Sequence, residues 1–148
     1  MNKQMMVWKG HHPLAILMDF GRARPSRREI QSRTVALQLQ EWASEHCSAP
    51  YRAPGLWNCP SHAFIDGRTD IWSLGSTLYA IMEGVLTGPS PPYPEALHKF
   101  ITWMLQSQSM IHPRIDDVII HVDKLIAKFS IRSLLIIPQK SHAPPILE

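Results

Sequence analysis

The stretch TDIWSLGSTLYAIM, Thr69 to Met82, constrains this chain more than any other. Its apolar residues Ile71, Trp72, Leu74, Leu78, Tyr79, Ile81 and Met82 fall on nearly every face of a 3.6-residue period. A helix that is apolar all round has to be enclosed, so the fold is expected to be built around this one. Thr69 is read as its N-cap, Asp70 suits the positive end of its dipole, and Gly84 marks its stop. At 148 residues and 45% hydrophobic content the chain supports one such core and is too short for two ordinary domains.

The remaining periodicity is mostly helical. Val35, Leu39, Trp42, Ala43 and His46 predict a helix over Val35–His46. Leu97, Phe100, Ile101, Met104 and Leu105 predict another, with Pro94 near its first turn. Ile115, Val118, Ile119, Val122, Leu125, Ile126 and Phe129 keep the 3, 4 spacing through Arg114–Phe129. Leu14 to Met18 is an apolar run of strand length, ended by Asp19 and Gly21. Ser48–Asp66, rich in proline and small polar residues, reads as extended or turned, and residues 131–148 as a loosely packed tail.

The net charge of +3 owes much to GRARPSRREIQSR, with Arg22, Arg24, Arg27, Arg28 and Arg33. No aromatic residue interleaves there for base stacking, and Pro25 and Ser26 break the run. It is therefore read as a solvated loop and not as a nucleic-acid surface. Cys47 and Cys59 make no disulfide framework, which favours a reducing compartment. With His46 and His62 they also fall short of a zinc pattern, because no second pair has ligand spacing and His46 adjoins Cys47. No signal peptide is evident, Asn2 excludes the N-terminal glycine of an acylation motif, and LLII near the end is too short to span a bilayer. A cytoplasmic chain without a transmembrane segment is expected.

Three motifs follow one another. Asp19-Phe20-Gly21 closes the short strand, Ser48 leads to Tyr51-Arg52-Ala53-Pro54, and Asp70-Ile71-Trp72-Ser73-Leu74-Gly75 opens the apolar helix. In this order they resemble the C-terminal lobe of a eukaryotic protein kinase: the DFG motif, an activation segment ending in a degraded APE motif, and the D-x-W-S-x-G helix. ALQLQEWASEHCSAPYRAP followed by IDGRTDIWSLGSTLYAIMEG looks like the Numb-associated kinase family, in a plant-like version of its acylated Golgi serine/threonine branch. That branch carries a helix inside its activation segment, matching the helix predicted over Val35–His46.

The resemblance runs from about residue 13 to 130, with residues 1–12 outside it. It implies a mainly α, partial kinase C-lobe: a short strand before DFG, an activation segment over about 19–55 and a central helix over about 69–83. It also implies ATP and Mg²⁺ as cofactors and protein serine or threonine as acceptor. Asp19 matches the aspartate that holds Mg²⁺ on the phosphates, and Phe20 and Gly21 complete that motif, Phe20 setting the active or inactive posture. Ser48 matches the residue facing the catalytic aspartate. Asp70 matches a buried aspartate that supports the catalytic loop, with Trp72 and Gly75 beside it in the helix motif.

Departures from the pattern bear on activity. The residues before Asp19, MNKQMMVWKGHHPLAILM, contain no Gly-rich loop, no strand lysine and no H-R-D-x-x-x-x-N loop. A truncated kinase domain without catalysis of its own is expected. The alternative is a pseudokinase-like interaction module, binding a partner of the full-length kinase through apolar surface left exposed. VLTGPSPPYPEA replaces a longer substrate platform. Gly55 stands where the APE glutamate belongs, and His112, in Met110-Ile-His-Pro-Arg114, where its arginine partner belongs, so both halves of one ion pair are expected to be lost together.

Overall fold

The computed structural model describes residues 3–9, 12–84, 94–107 and 112–135. The Pro-rich crossing at 85–93 and residues 136–148 of the expected tail lie outside the described residues. The described part is mainly helical with two small antiparallel sheets. Strands β1 (Lys3–Lys9) and β2 (His12–Met18) form a hairpin pairing Lys3 with Met18 and Lys9 with His12. β2 is longer than the apolar run because its first residues pair with β1.

β3 (Arg27–Ile30) lies within the basic run read as a loop, and it pairs antiparallel with β4 (Ala63–Asp66). The register sets Arg27 opposite Asp66 and Ile30 opposite Ala63. One buried apolar residue anchors β3, since Ile30 is 0% exposed among charged neighbours. A single such residue gives no alternation to detect, and its partner strand is far away in sequence.

Helix α1 (Arg33–His46) begins two residues before the predicted start, because Ser32 is its cap: its Oγ accepts from Val35 N at 3.3 Å. Ala36, Leu39 and Ala43 form its buried face. Ile30, Ala36, Leu39 and Cys59 make one core cluster, with Val35, Trp42, Leu56 and Ile65 packed around it. The expected extended stretch after α1 holds a 3-10 turn, Ala49–Tyr51, and a one-turn helix, α2 (Pro54–Trp57), with proline at its first position.

The predicted central helix is α3 (Arg68–Met82), followed by α4 (Glu95–Met104) and α5 (Ile115–Leu135). Gly67 precedes α3, and Thr69, expected as its cap, lies in the first turn with Oγ1 donating to Asp66 O at 3.1 Å. Gly84 has φ 73°, which suits the glycine that ends the helix. α5 continues past residue 130, where a loose tail was expected; no glycine or proline interrupts the chain between Arg114 and Leu135.

Ile71, Phe100, Met104 and Val118 join α3, α4 and α5 in a second cluster. α3 is not enclosed as its pattern predicts: only Ile71 and Gly75 on it are buried, and Tyr79 is exposed. Asp70 is exposed as well, and the rest of the helix is half-buried. At Gly75 the approach of α4 is close, since a Cβ there would meet Met104 Cβ at 2.9 Å and Leu105 Cδ2 at 3.2 Å. Met104 Cβ is fixed to backbone and cannot swing aside. Gly75→Val is expected to cost about 2 kcal/mol in urea unfolding; an unchanged midpoint would mean that the helices part freely.

Candidate functional site

β2 delivers Asp19 to the start of a 3-10 turn, Phe20–Arg22. Asp19 is left-handed, at φ 66° and ψ 62°, a conformation aspartate tolerates better than most residues. Its side chain is exposed, and so is the Phe20 ring, at 59%. Gly21 sits close by, where a Cβ would lie 3.8 Å from Asp19 Oδ1. Arg22 Nη1 donates to His46 O at 3.2 Å and so ties this turn to the end of α1. A Mg²⁺–nucleotide pair needs several hard oxygen ligands and cations around its phosphates. Among the described residues no three metal-ligating side chains gather, and one exposed carboxylate at Asp19 does not fit that group.

The segment after α1 is better built. Ser48 is exposed and opens the Ala49–Tyr51 turn without a side-chain bond. Arg52 is 7% exposed, and its Nη2 donates to Cys47 O at 2.9 Å and Ser44 O at 3.3 Å. These are end carbonyls of α1, where a cation meets the negative end of the dipole. The guanidinium also lies 4.1 Å from the Trp57 ring centroid, and Trp57 Nε1 donates back to Arg52 O at 3.1 Å. Ala53 is buried and Pro54 half-buried.

α3 holds this segment through Ser73, whose Oγ lies 2.6 Å from Tyr51 O, to which it donates, and 3.0 Å from Thr69 O, the alternative acceptor. Asp70, expected to be buried, is exposed in the first turn of α3. None of the described segments covers it, so its carboxylate remains in water at the positive end of the helix. Trp72 is half-buried, and its Nε1 is a buried donor without a partner among the described residues.

Gly55 and His112 line one cavity of about 10 Å³, the size of a single water, together with Ala53, Ile65 and Thr69. A Cβ at Gly55 would meet only Ile65 Cδ1, at 3.8 Å, so the position has room for a Cβ. His112 is 5% exposed; its Nε2 bonds to Gln106 O, and its Nδ1 is buried without a partner among the described residues. A carbonyl can only accept, so Nε2 carries the proton.

Asp66 and Arg68 border the same cavity and form a bonded pair, with Nη2 to Oδ2 at 2.8 Å and Nε to Oδ1 at 2.9 Å. The Arg68 side-chain bond holds the Asp66 carboxyl below its ordinary value against the opposing effect of burial; the Arg68 backbone N–H and the charges of Arg68 and Arg114 add to the lowering. A carboxylate with a depressed folded pKa contributes stability that is complete above its unfolded value of about 4 and is lost as pH falls through the folded one. Asp66→Asn is therefore expected to flatten the acid limb of the stability profile below about pH 4 and to leave its slope near pH 7 unchanged. An identical acid limb would remove this role.

Several contacts were not foreseen in the sequence. Arg52, noted there only as part of a motif, is the buried cation of the segment. Asp66–Arg68 carries a local signal in its two-residue spacing. The Arg27 guanidinium, 4.4 Å from the Phe64 ring centroid, carries none because the pair meets only when β3 joins β4. Cys47 and Cys59 are both free, and burial of Cys59 in the first cluster pushes its thiol up, with Arg28 and Arg33 pulling the other way.

No protein-family profile matches the chain. Serine/threonine-protein kinase 16 of Mus musculus is 46% identical over 82 residues, 55% of this chain and 27% of that protein. Serine/threonine-protein kinase ppk13 of Schizosaccharomyces pombe is 39% identical over 67 residues, 45% of this chain and 20% of its own length. Serine/threonine-protein kinase ENV7 of Saccharomyces cerevisiae is 35% identical over 72 residues, 49% of this chain and 20% of the relative. The chain thus spans about a quarter or less of these relatives. With the Tyr51–Pro54 segment bonded to the α3 helix, these likenesses show that the chain contains a region related to serine/threonine-protein kinases.

Proposed function

We propose that residues 13–130 are part of the C-terminal lobe of a serine/threonine protein kinase of the Numb-associated family, in its acylated Golgi branch, and that these 148 residues do not transfer phosphate by themselves. The observation that carries this reading is α3, a helix apolar on nearly every face of which only Ile71 and Gly75 are buried, with the Trp72 N–H buried and unpartnered among the described residues. Such a helix is built for a larger lobe than the described elements supply. The ATP- and Mg²⁺-dependent activity of the family needs a phosphate-gripping lysine aimed by a helix glutamate and an H-R-D-x-x-x-x-N loop. The residues before Asp19 hold Lys3 and Lys9 but no glutamate and no such loop. Gly55 and His112 stand for the two halves of a lost ion pair. A cytoplasmic location belongs to the same proposal.

Purified chain with Mg²⁺–ATP and a generic protein acceptor is expected to incorporate no more phosphate than the Asp19→Ala variant. Sustained incorporation that Asp19→Ala abolishes would sink the proposal. The coding sequence upstream of Met1 then separates two origins: an in-frame H-R-D-x-x-x-x-N marks a piece of an intact enzyme, and its absence a relic.

Exposed apolar residues favour a second reading, an interaction module that binds a partner of the full-length kinase. Leu14, Leu17, Met18 and Phe20 on one side and Ile115, Ile119, Ile120 and Ile126 on α5 are each at least 41% exposed. A pull-down yielding one stoichiometric protein supports it, and a broad smear or soluble aggregates count against it.

A further inference from the structure

Apart from the motifs above, the described surface holds one groove with concentrated charge. It lies where the β3–β4 sheet meets the starts of α3 and α5, has a volume of about 450 Å³, and is bordered by Ser26, Arg27, Phe64, Arg68, Arg114 and Asp116. Its arginines come from three separate parts of the chain, and the fold alone brings them together.

Their charges are not equivalent. Arg68 is engaged by Asp66 in a two-point bond. Arg27 lies over Phe64, and neither it nor Arg114 has an ion pair among the described residues. Asp117 is occupied differently, its Oδ2 accepting from Arg114 N at 2.9 Å. Asp116, in the first turn of α5, stands at the border as the one other carboxylate of the lining.

We infer that this groove is a binding site for a phosphorylated side chain of a partner protein. With Arg68 taken up by Asp66, Arg27 and Arg114 stand against the single carboxylate of Asp116, so the lining is net positive and offers two guanidinium forks. The three oxygens of a phosphomonoester can engage both at once, whereas the two of a carboxylate are taken by one. Guanidinium forks suit phosphate oxygens, and the Ser26 hydroxyl adds a donor at the border. The volume exceeds that of a lone ion and admits a side chain with its neighbouring backbone. With a net charge of only one, the lining lacks the several basic residues that docking on a broad anionic membrane takes. One face of Phe64, already covered by Arg27, is withdrawn from base stacking.

The test is fluorescence anisotropy of the full chain with a labelled Gly-Leu-phosphoSer-Leu-Gly peptide. The unphosphorylated peptide, inorganic phosphate and phosphatidylserine vesicles serve as comparison arms. The phosphopeptide is expected to bind at least about tenfold more tightly than the unphosphorylated one, and Arg27→Gln or Arg114→Gln to weaken it about tenfold each. Asp116→Asn should tighten it, and Arg114→Lys should lie between Gln and wild type because it keeps the charge and loses the fork. Both arginines are exposed, so these variants are expected to melt with the wild type; for one that melts early, the lysine replacement gives the reading. Equal binding of both peptides, or Arg variants that bind like wild type, would overturn the site. Inorganic phosphate binding as tightly as the peptide would make it a free-ion site, and vesicles binding in place of the peptide a membrane site. Either result overturns the assignment to a phosphorylated side chain.

Discussion

His112→Arg alone is expected to destabilise the chain by about 3–5 kcal/mol, and adding Gly55→Glu is expected to recover most of that loss. His112 is 5% exposed beside a cavity no larger than a water molecule. A guanidinium placed there is a buried charge, and the carboxylate nearest to hand, Asp66, is already bonded to Arg68. At position 55 the nearest obstacle to a Cβ is Ile65 Cδ1 at 3.8 Å, so the first carbon of a glutamate side chain meets no clash. The expected signature is a coupling of about 2 kcal/mol or more between the two sites in a double-mutant cycle by urea unfolding. This follows from the proposal that a pair was lost as a unit. Additive effects would show that positions 55 and 112 never answered each other.

Arg52→Ala should cost about 3 kcal/mol, the second largest effect expected here. The substitution removes two charged hydrogen bonds to the last carbonyls of α1 and a ring contact with Trp57 at 4.1 Å. It also leaves those carbonyls with a void in front of them. Arg52→Lys should fall in between, because an ammonium restores the charge without the planar stack. Thermal unfolding followed by the Trp near-ultraviolet signal reads both effects. A melting point within a degree of wild type for Arg52→Ala would mean that water replaces the guanidinium at little cost.

Periodicity revealed the helices and little of the pairing. α1, α3, α4 and α5 were legible because their apolar residues recur at local spacing, and their starts moved by a residue or two where a cap lay outside the apolar pattern, as at Ser32. β3 was hidden because its one core residue, Ile30, owes its burial to a strand more than thirty positions away. The central helix was correctly placed and its burial overestimated, since hydropathy states what a helix needs and not what covers it. At the site, the order of motifs singled out Tyr51–Pro54 and the start of α3, and the structure joins the two through Ser73. The sequence did not disclose that Arg52 turns inward onto α1 while Asp70 turns outward. That outcome depends on which neighbours are at hand, and it is a tertiary property.

Ser73 has one hydroxyl hydrogen and two carbonyls within reach, Tyr51 O at 2.6 Å and Thr69 O at 3.0 Å. When the Tyr51 segment stays on α3, the shorter bond joins them; when it lifts, the same hydrogen falls back on its own helix. Detachment therefore leaves no orphaned donor on α3 and costs less than breaking a bond that has no substitute. The hydroxyl works as a reversible clasp, holding the segment without locking it.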